Sequence, residues 1–429
     1  MIKRLSVYGY KSLKRVKELS LEKVSIIMGP NASGKSNLFD LLKLLSLSSN
    51  RPLNDAFKEH RGYPLEAFFY GEEGFEGLLK KKEVEFKVEI DIALTPEVVK
   101  SVEEEISKLR KGLSPKIERK KVVETNLRYC LTVQAIPETG VIRVMDESLL
   151  ALRKGKDGKI RKSRKPFLSK EGDRLLLRAE GVKGRPREYD IGCNYTIVSV
   201  PLYSPHYSHI TAFKEEISKW RFYYLEPTSM RKESPIKEVT ILPSSGEDIA
   251  AFFYTMKQQK PAQFENLIKT LKNLVPSIQK LDIERVPKKG TLDLVLYENG
   301  VKFSSRVISE GTLRILGLLA ALNPLSPVTL VGYEEPENGV HPRRLQLIAE
   351  ILKNTALQNG IQILINTHSP VFPEYFENES LFICEKRGFE TVFRPFLPSG
   401  ELFRKKEIEE ALEEPPPLSE RIMRGDFGG

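Results

Sequence analysis

The chain has 429 residues, 40% of them hydrophobic, enough to bury a large core and build two or three domain-sized units, which excludes a disordered protein. Its 68 Lys+Arg against 58 Asp+Glu leave a net charge of +10, which admits an anionic partner without requiring one. There is no apolar run of about 18 residues, and Met1-Ile2-Lys3-Arg4-Leu5 passes straight into strand-like sequence, so a cytoplasmic protein without membrane spans is expected.

Ile2 to Val7 reads as a strand, Tyr8 to Leu13 as a turn, and Leu19-Ser20-Leu21 leads to Val24–Met28, a short apolar run readable as a buried strand. Gly29-Pro30-Asn31-Ala32-Ser33-Gly34-Lys35-Ser36 follows, and after Asn37 the residues Leu38, Phe39, Leu41, Leu42, Leu44 and Leu45 fall at helical spacing. Between strand and helix lies G-x-x-x-x-G-K-S. Its glycines let the backbone curl so that successive N–H groups face phosphate oxygens, Lys35 neutralises β/γ charge, and Ser36 offers a hydroxyl to Mg²⁺. A nucleotide triphosphate cradle is the expectation.

A polar break at Ser48–Pro52 ends the helix, and Val84–Ile92 then alternates with period two, as a strand of an antiparallel sheet would. Thr95, an N-cap candidate before Pro96 and Glu97, opens a charged helix to about Arg110, too short for a coiled-coil arm. Leu127–Ala135 and Val141–Val144 are strand-like. Composition then shifts: Arg153, Lys154, Lys156, Lys159, Arg161, Lys162, Arg164, Lys165 and Lys170 are opposed by Asp157 alone, which reads as a mobile basic loop. Such a loop tracks a nucleic-acid backbone or is simply a solvated hairpin tip, and the residues leave both open. Cys130, Cys193 and Cys384 are too scattered for a disulfide frame or a zinc site.

Order resumes at Tyr195–Val200, followed by a helix at Ile210–Lys219, a strand at Arg221–Leu225, helices at Glu247–Lys257 and Phe264–Leu274, and a strand at Leu292–Tyr297. Ser309-Glu310-Gly311-Thr312 opens an apolar helix, Leu313 to Leu322. Its exposed N–H groups make an anion site, and an ordinary Ser N-cap explains the same residues. Val328–Tyr333 is a buried-strand pattern that delivers Glu334-Glu335-Pro336-Glu337-Asn338-Gly339 to its C-terminal end, where open α/β sheets bind ligands. Adjacent carboxylates repel unless a cation is near, so beside a Mg²⁺–phosphate site one serves the metal and the other orients water; the bland alternative is a solvated acidic turn. A third strand, Ile361–Asn366, ends at Thr367-His368-Ser369-Pro370, placing a histidine where it can contact a γ-phosphate.

Together these motifs resemble the ABC-type ATPases of the SMC, RecF and OLD lineage, especially compact stand-alone members without a TOPRIM domain. Gly29–Ser36 is similar to Walker A, Ser309–Thr312 to the ABC signature, Leu330–Glu335 to Walker B, Asn338–Pro342 to the D-loop region and His368 to the switch histidine. Two departures stand out: Glu334 occupies the usual aspartate position of Walker B, and the Q-loop glutamine has no counterpart near Phe68–Gly71.

The resemblance implies a P-loop NTPase fold of ABC type, a mixed α/β sheet core with an antiparallel lobe and an inserted region. It divides the chain into residues 1–94 with Walker A, an inserted 95–190 with the basic loop, and 191–429 with the signature, Walker B and switch histidine. It further implies a head-to-tail dimer closing on ATP and Mg²⁺. Gly29, Asn31, Ala32, Ser33, Gly34, Lys35, Ser36 and Asn37 would surround the nucleotide of one protomer, and Ser309 and Gly311 would complete it from the other. Ser36 and Glu334 would hold Mg²⁺, while Glu335, His368 and Lys35 would carry the chemistry. The implied function is an ATP-hydrolysing switch acting on DNA or on a separately encoded nuclease or other effector, in genome maintenance or anti-phage defence. The alternative is an ATP-gated scaffold for a protein partner. About sixty residues follow His368, too few for a nuclease domain beside the remaining ATPase strands.

Overall fold

The computed structural model describes residues 1–109, 121–154, 160–162, 165–182, 184–396 and 418–423. Two compact units emerge, one made of Met1–Glu22, Asn31–Trp220 and Cys384–Arg394, the other of Lys23–Pro30, Arg221–Ile383 and Pro395–Gly429.

The first unit is built on a nine-stranded antiparallel sheet. Leu13–Ser20 forms one edge and is followed in order by Ile2–Tyr10, Val84–Ala93, Asn126–Ile136, Val141–Lys154, Leu168–Glu171, Arg174–Leu177 and Arg187–Asp190, with Ile160–Lys162 paired separately to Val141–Lys154. Period-two sequence makes it amphipathic: Val84, Phe86, Val88, Ile90 and Ile92 are buried while Glu85 and Lys87 face water. Asp91 binds both Arg4 (2.9 Å) and Arg128 (2.6 Å), which joins three strands by charge-assisted hydrogen bonds. Helices Lys35–Ser48, Pro96–Leu109 and Ser208–Ser218 belong to the same unit, and Leu38, Phe39, Leu41, Leu42, Val98, Val102, Ile106 and Phe213 are buried. Tyr129 packs its ring 4.7 Å from that of Phe213.

Three sequence expectations change here. The first strand runs on to Tyr10, so the turn is only Lys11-Ser12. The strand expected at Val141–Val144 continues to Lys154, because the polar residues Asp146 and Ser148 sit on the outward side of the sheet while Leu149 and Ala151 stay buried. The basic stretch is therefore not one mobile loop. Leu152–Lys154 pairs antiparallel with Ile160–Lys162, and Lys170 lies in the strand Leu168–Glu171; Lys156, Asp157, Lys159 and Arg164 lie outside the described residues.

The second unit contains the parallel strands. Leu330–Glu334 pairs with Gln362–Thr367, which pairs with Val24–Met28, which pairs with the start of Leu381–Arg387. Every residue of Leu330–Glu334 and Gln362–Thr367 is buried, as expected of strands covered on both faces. Helices Glu310–Leu322 and Leu345–Asn359 contribute Leu316, Leu319, Ile348 and Leu352 to the core. A small antiparallel sheet, Ser234–Pro235, Thr291–Glu298 and Ile278–Val286 with Val301–Ser304 added, packs against helices Ile249–Gln259 and Pro261–Leu274. The fold is thus mixed α/β with antiparallel sheets, as the motifs implied.

Candidate functional site

Asn31 to Asn37 lie in the first unit. Ala32 (φ +63°) and Gly34 (φ +100°) are both left-handed, which curls the loop tightly just before the helix at Lys35. A Cβ on Gly34 would fall 2.0 Å from Thr391 Oγ1 and 2.7 Å from Ser12 Oγ, so only glycine fits. Gly34 caps the helix without a side-chain bond, and the first turn holds no acid, so the positive end of the helix dipole is not neutralised by its own turn. Lys35 is 6% exposed; Ser36 and Asn37 are half-buried.

Beside this loop the first unit contains a cavity of about 340 Å³, into which Ala32, Gly34 and Asn37 open. Its other walls combine three cations, Lys11, Arg61 and Lys386, and one carboxylate, Glu66, with aromatic rings, Phe69, Tyr70 and Phe389. Lys11 (2.7 Å) and Arg61 (3.5 Å) both pair with the buried Asp40, which fixes their direction and leaves the pair of cations with net positive charge. Next to Lys11, Tyr10 bonds His60 Nε2 at 2.6 Å, and burial pushes His60 down to about 4, so it stays neutral at pH 7. Flat rings and fixed cations against a phosphate loop suit a polyphosphate attached to an aromatic base. Sequence reasoning assigns none of these wall residues a binding role, since they come from four separated stretches; Phe69 and Tyr70 lie where the Q-loop glutamine has no counterpart.

The second unit gathers Gly29, Glu334, Glu335 and His368. Parallel register aligns Met28 with Thr367 and Glu334 with Asn366, so the residues that follow each strand leave from one edge of the sheet. Glu334 ends its strand 9% exposed. Glu335 adopts φ +51°, and its N–H donates to Asn366 O at 3.0 Å. That turn aims its carboxylate at His368, whose Nδ1 lies 3.1 Å from Oε1, while Asn338 Nδ2 donates to Oε2. Both side chains remain partly exposed, at 26% and 40%, so water reaches them. Glu337, for which the sequence suggested no role, is 8% exposed and accepts from the Thr367 hydroxyl; burial raises its carboxyl above the usual range, partly offset by that bond. Thr367 Oγ1 also accepts from Ser369 N–H at 3.0 Å, fixing the backbone on both sides of His368.

Ser309 and Gly311 start the helix Glu310–Leu322. Ser309 Oγ accepts from Thr312 N–H (3.3 Å) and donates to Thr312 Oγ1 (2.8 Å), so in this structure it acts as the N-cap. Gly311 has a steric reason: a Cβ there would stand 2.1 Å from Gly339 O, the turn that follows Asn338. The structure thus brings Asn31–Asn37 together in one unit, and Glu334, Glu335 and His368 at one strand edge in the other. Among the described residues no cluster of three or more His, Cys, Asp or Glu makes a ready metal site, and no helix is long and apolar enough to cross a membrane.

Residues 159–372 match the family described as "AAA domain, putative AbiEii toxin, Type IV TA system". No curated protein matches the sequence. Among solved structures, an SMC head bound to the C-winged helix domain of ScpA superposes with a TM-score of 0.52 at 14% identity, over 92% of this chain and 96% of that one. An SMC head with an extended coiled coil, bound to the C-terminal domain of ScpA derived from Pyrococcus furiosus, gives 0.46 at 13% identity over 96% and 99%. The SMC head domain from Thermotoga maritima gives 0.42 at 11% identity over 92% and 98%.

Proposed function

We propose, from the premise that the chain is an ABC-type ATPase of the SMC-like lineage, that it binds Mg-ATP, hydrolyses it, and uses the cycle to switch a dimer that acts on DNA or on a separately encoded effector. The observation that carries this reading is the Glu335–His368 pair, held 3.1 Å apart at the strand edge from which the phosphate loop departs. In the proposed roles, Lys35 and the N–H groups of Asn31–Ser36 hold the phosphates, and Ser36 with Glu334 would hold Mg²⁺, which supplies charge neutralisation of the β/γ oxygens. Glu335 takes the proton of the attacking water, with its carboxylate aimed by Asn338. His368 contacts the γ-phosphate, and Ser309 and Gly311 approach it from a second protomer.

Support for a nucleic-acid partner is the row of exposed cations Arg153, Arg161, Lys162, Lys165 and Lys170 in and beside the paired strands. Support for a defence role is the match of residues 159–372 to a family that takes in putative AbiEii toxins. A protein-scaffold reading draws on the solved neighbour bound to a winged-helix domain.

The test is the solution mass of Glu335→Gln with and without Mg-ATP, repeated with duplex DNA. An ATP-dependent dimer supports the composite site, and a further DNA-bound species favours the nucleic-acid partner. A monomer in saturating ATP, with nucleotide binding confirmed, refutes the role of Ser309 in trans. A dimer that ignores DNA at low salt leaves the scaffold as the better reading.

A further inference from the structure

Thr391 lies in a hairpin at the far end of the described sequence, yet it touches the phosphate loop directly. Its Oγ1 donates to Ser33 O at 2.7 Å, and its N–H donates to Ser12 O at 2.8 Å. A hydroxyl has one proton, so the remaining contacts have only one consistent direction. With Thr391 donating to Ser33 O, Ser12 Oγ (2.6 Å) must donate to Thr391, and Ser12 in turn accepts from Asn37 Nδ2 at 2.6 Å. The chain starts on Asn37, in the first turn of the helix, and ends on Ser33, in the loop, so it closes a clasp around Gly34. The thiol of Cys384, 3.7 Å from Ser33 O, adds a weak second donor.

The consequence follows from peptide geometry. In a planar trans peptide the carbonyl and the next N–H point in opposite directions. Pulling Ser33 C=O toward Thr391 therefore turns Gly34 N–H the other way, away from the hairpin. Ser33 and Thr391 are each 1% exposed, so water does not replace the bond. The absence of a Cβ at Gly34 is what lets Thr391 Oγ1 come so close.

We propose that Thr391 is a positioning residue for the nucleotide: its hydroxyl, relayed from Asn37 through Ser12, holds the Ser33–Gly34 peptide in the orientation that presents N–H to phosphate. The proposal rests on the ATP-binding reading above. It assigns to the hairpin Cys384–Arg394, which also lines the cavity through Lys386 and Phe389, a role in shaping the loop.

The test is calorimetric titration of Mg-ATP into wild type, Thr391→Val and Thr391→Ser, with steady-state phosphate release alongside. Valine keeps the shape and removes the hydroxyl; Kd and KM should rise about tenfold, the effect of one buried hydrogen bond, with kcat at saturation changed far less. Serine should return Kd to within about threefold of wild type. A loss of packing alone would lower thermal stability without this split or this rescue. If Thr391→Val binds as tightly as wild type, the proposal is overturned while the ATP-binding reading stands. If wild type itself binds no Mg-ATP, both fall together. Should the valine variant not fold, Ser12→Ala breaks the same chain at its middle; a rise in Kd supports the clasp and unchanged affinity refutes it.

Discussion

Gly311 offers a sharp test because its effect is calculable from backbone positions alone. Gly311→Ala places a methyl group 2.1 Å from Gly339 O and 3.1 Å from Gly339 C, whereas ordinary contact begins near 3.4 Å. The neighbour is backbone, not a flexible side-chain tip, so one segment must move by about 1 Å. Overpacking of this kind costs about 1–3 kcal/mol. The displaced turn directly follows Asn338, whose amide holds Glu335 Oε2. A shift of about 1 Å at reacting groups typically costs on the order of a hundredfold in rate. Urea unfolding of Gly311→Ala should therefore show a loss of about 1–3 kcal/mol. Single-turnover phosphate release should fall on the order of a hundredfold. Unchanged stability would refute the steric argument. Reduced stability with wild-type phosphate release would refute the link from Gly339 through Asn338 to Glu335.

Glu335→Gln should lower steady-state phosphate release by about 10²–10⁴ while leaving nucleotide affinity in place; a wild-type rate would remove Glu335 as the base. Lys35→Ala should weaken Mg-ATP binding by at least about tenfold in equilibrium dialysis, the loss of a charge-assisted contact. Glu147 is fully buried, accepts from Tyr129 Oη (3.0 Å), Ile197 N–H (2.5 Å) and Val198 N–H (3.1 Å), and burial pushes it from 4.5 up to about 7. Folding thus takes up a proton between these values, so the stability it contributes is complete below pH 4.5 and lost as pH rises through about 7, on the order of 3 kcal/mol. Unfolding midpoints at pH 5 and pH 8 should show this slope in wild type and a flatter one in Glu147→Gln; equal slopes would contradict it. Replacing Arg161, Lys162 and Lys165 by Gln should reduce the salt slope of DNA binding by about 0.9 per lost phosphate contact, and an unchanged slope would place the nucleic acid elsewhere.

The parallel strands of the second unit were legible because burial on both faces leaves mostly apolar runs, as in Val328–Tyr333 and Ile361–Asn366, broken only by Thr329, Gln362 and Asn366, which are buried with the rest. The tight curl before the helix at Lys35 and the turn that follows Glu334 stood out for a similar reason, since each is made by neighbours in sequence. Leu13–Ser20 was hidden because its buried residues, Leu13, Val16 and Leu19, recur every three positions, and Lys14, Arg15 and Lys17 blunt an exposed edge. The cavity walls were illegible for a different reason. Lys11, Arg61, Tyr70 and Phe389 become neighbours only through tertiary folding, and the Thr391–Ser33 bond spans 358 positions. No local pattern encodes such a contact. Glu337 sat in plain view within the acidic turn, but its burial and its bond to Thr367 depend on a strand thirty residues away.

Glu335 has a consequence beyond its side chain. A non-glycine residue in the left-handed region, here at φ +51°, is held about 1–2 kcal/mol above its relaxed conformation. Glycine at that position would relieve the strain, and a chain selected for thermostability alone would drift toward it. A library screened only for heat resistance should therefore enrich Glu335→Gly, and if Glu335 is the base its phosphate release should disappear in the same variants.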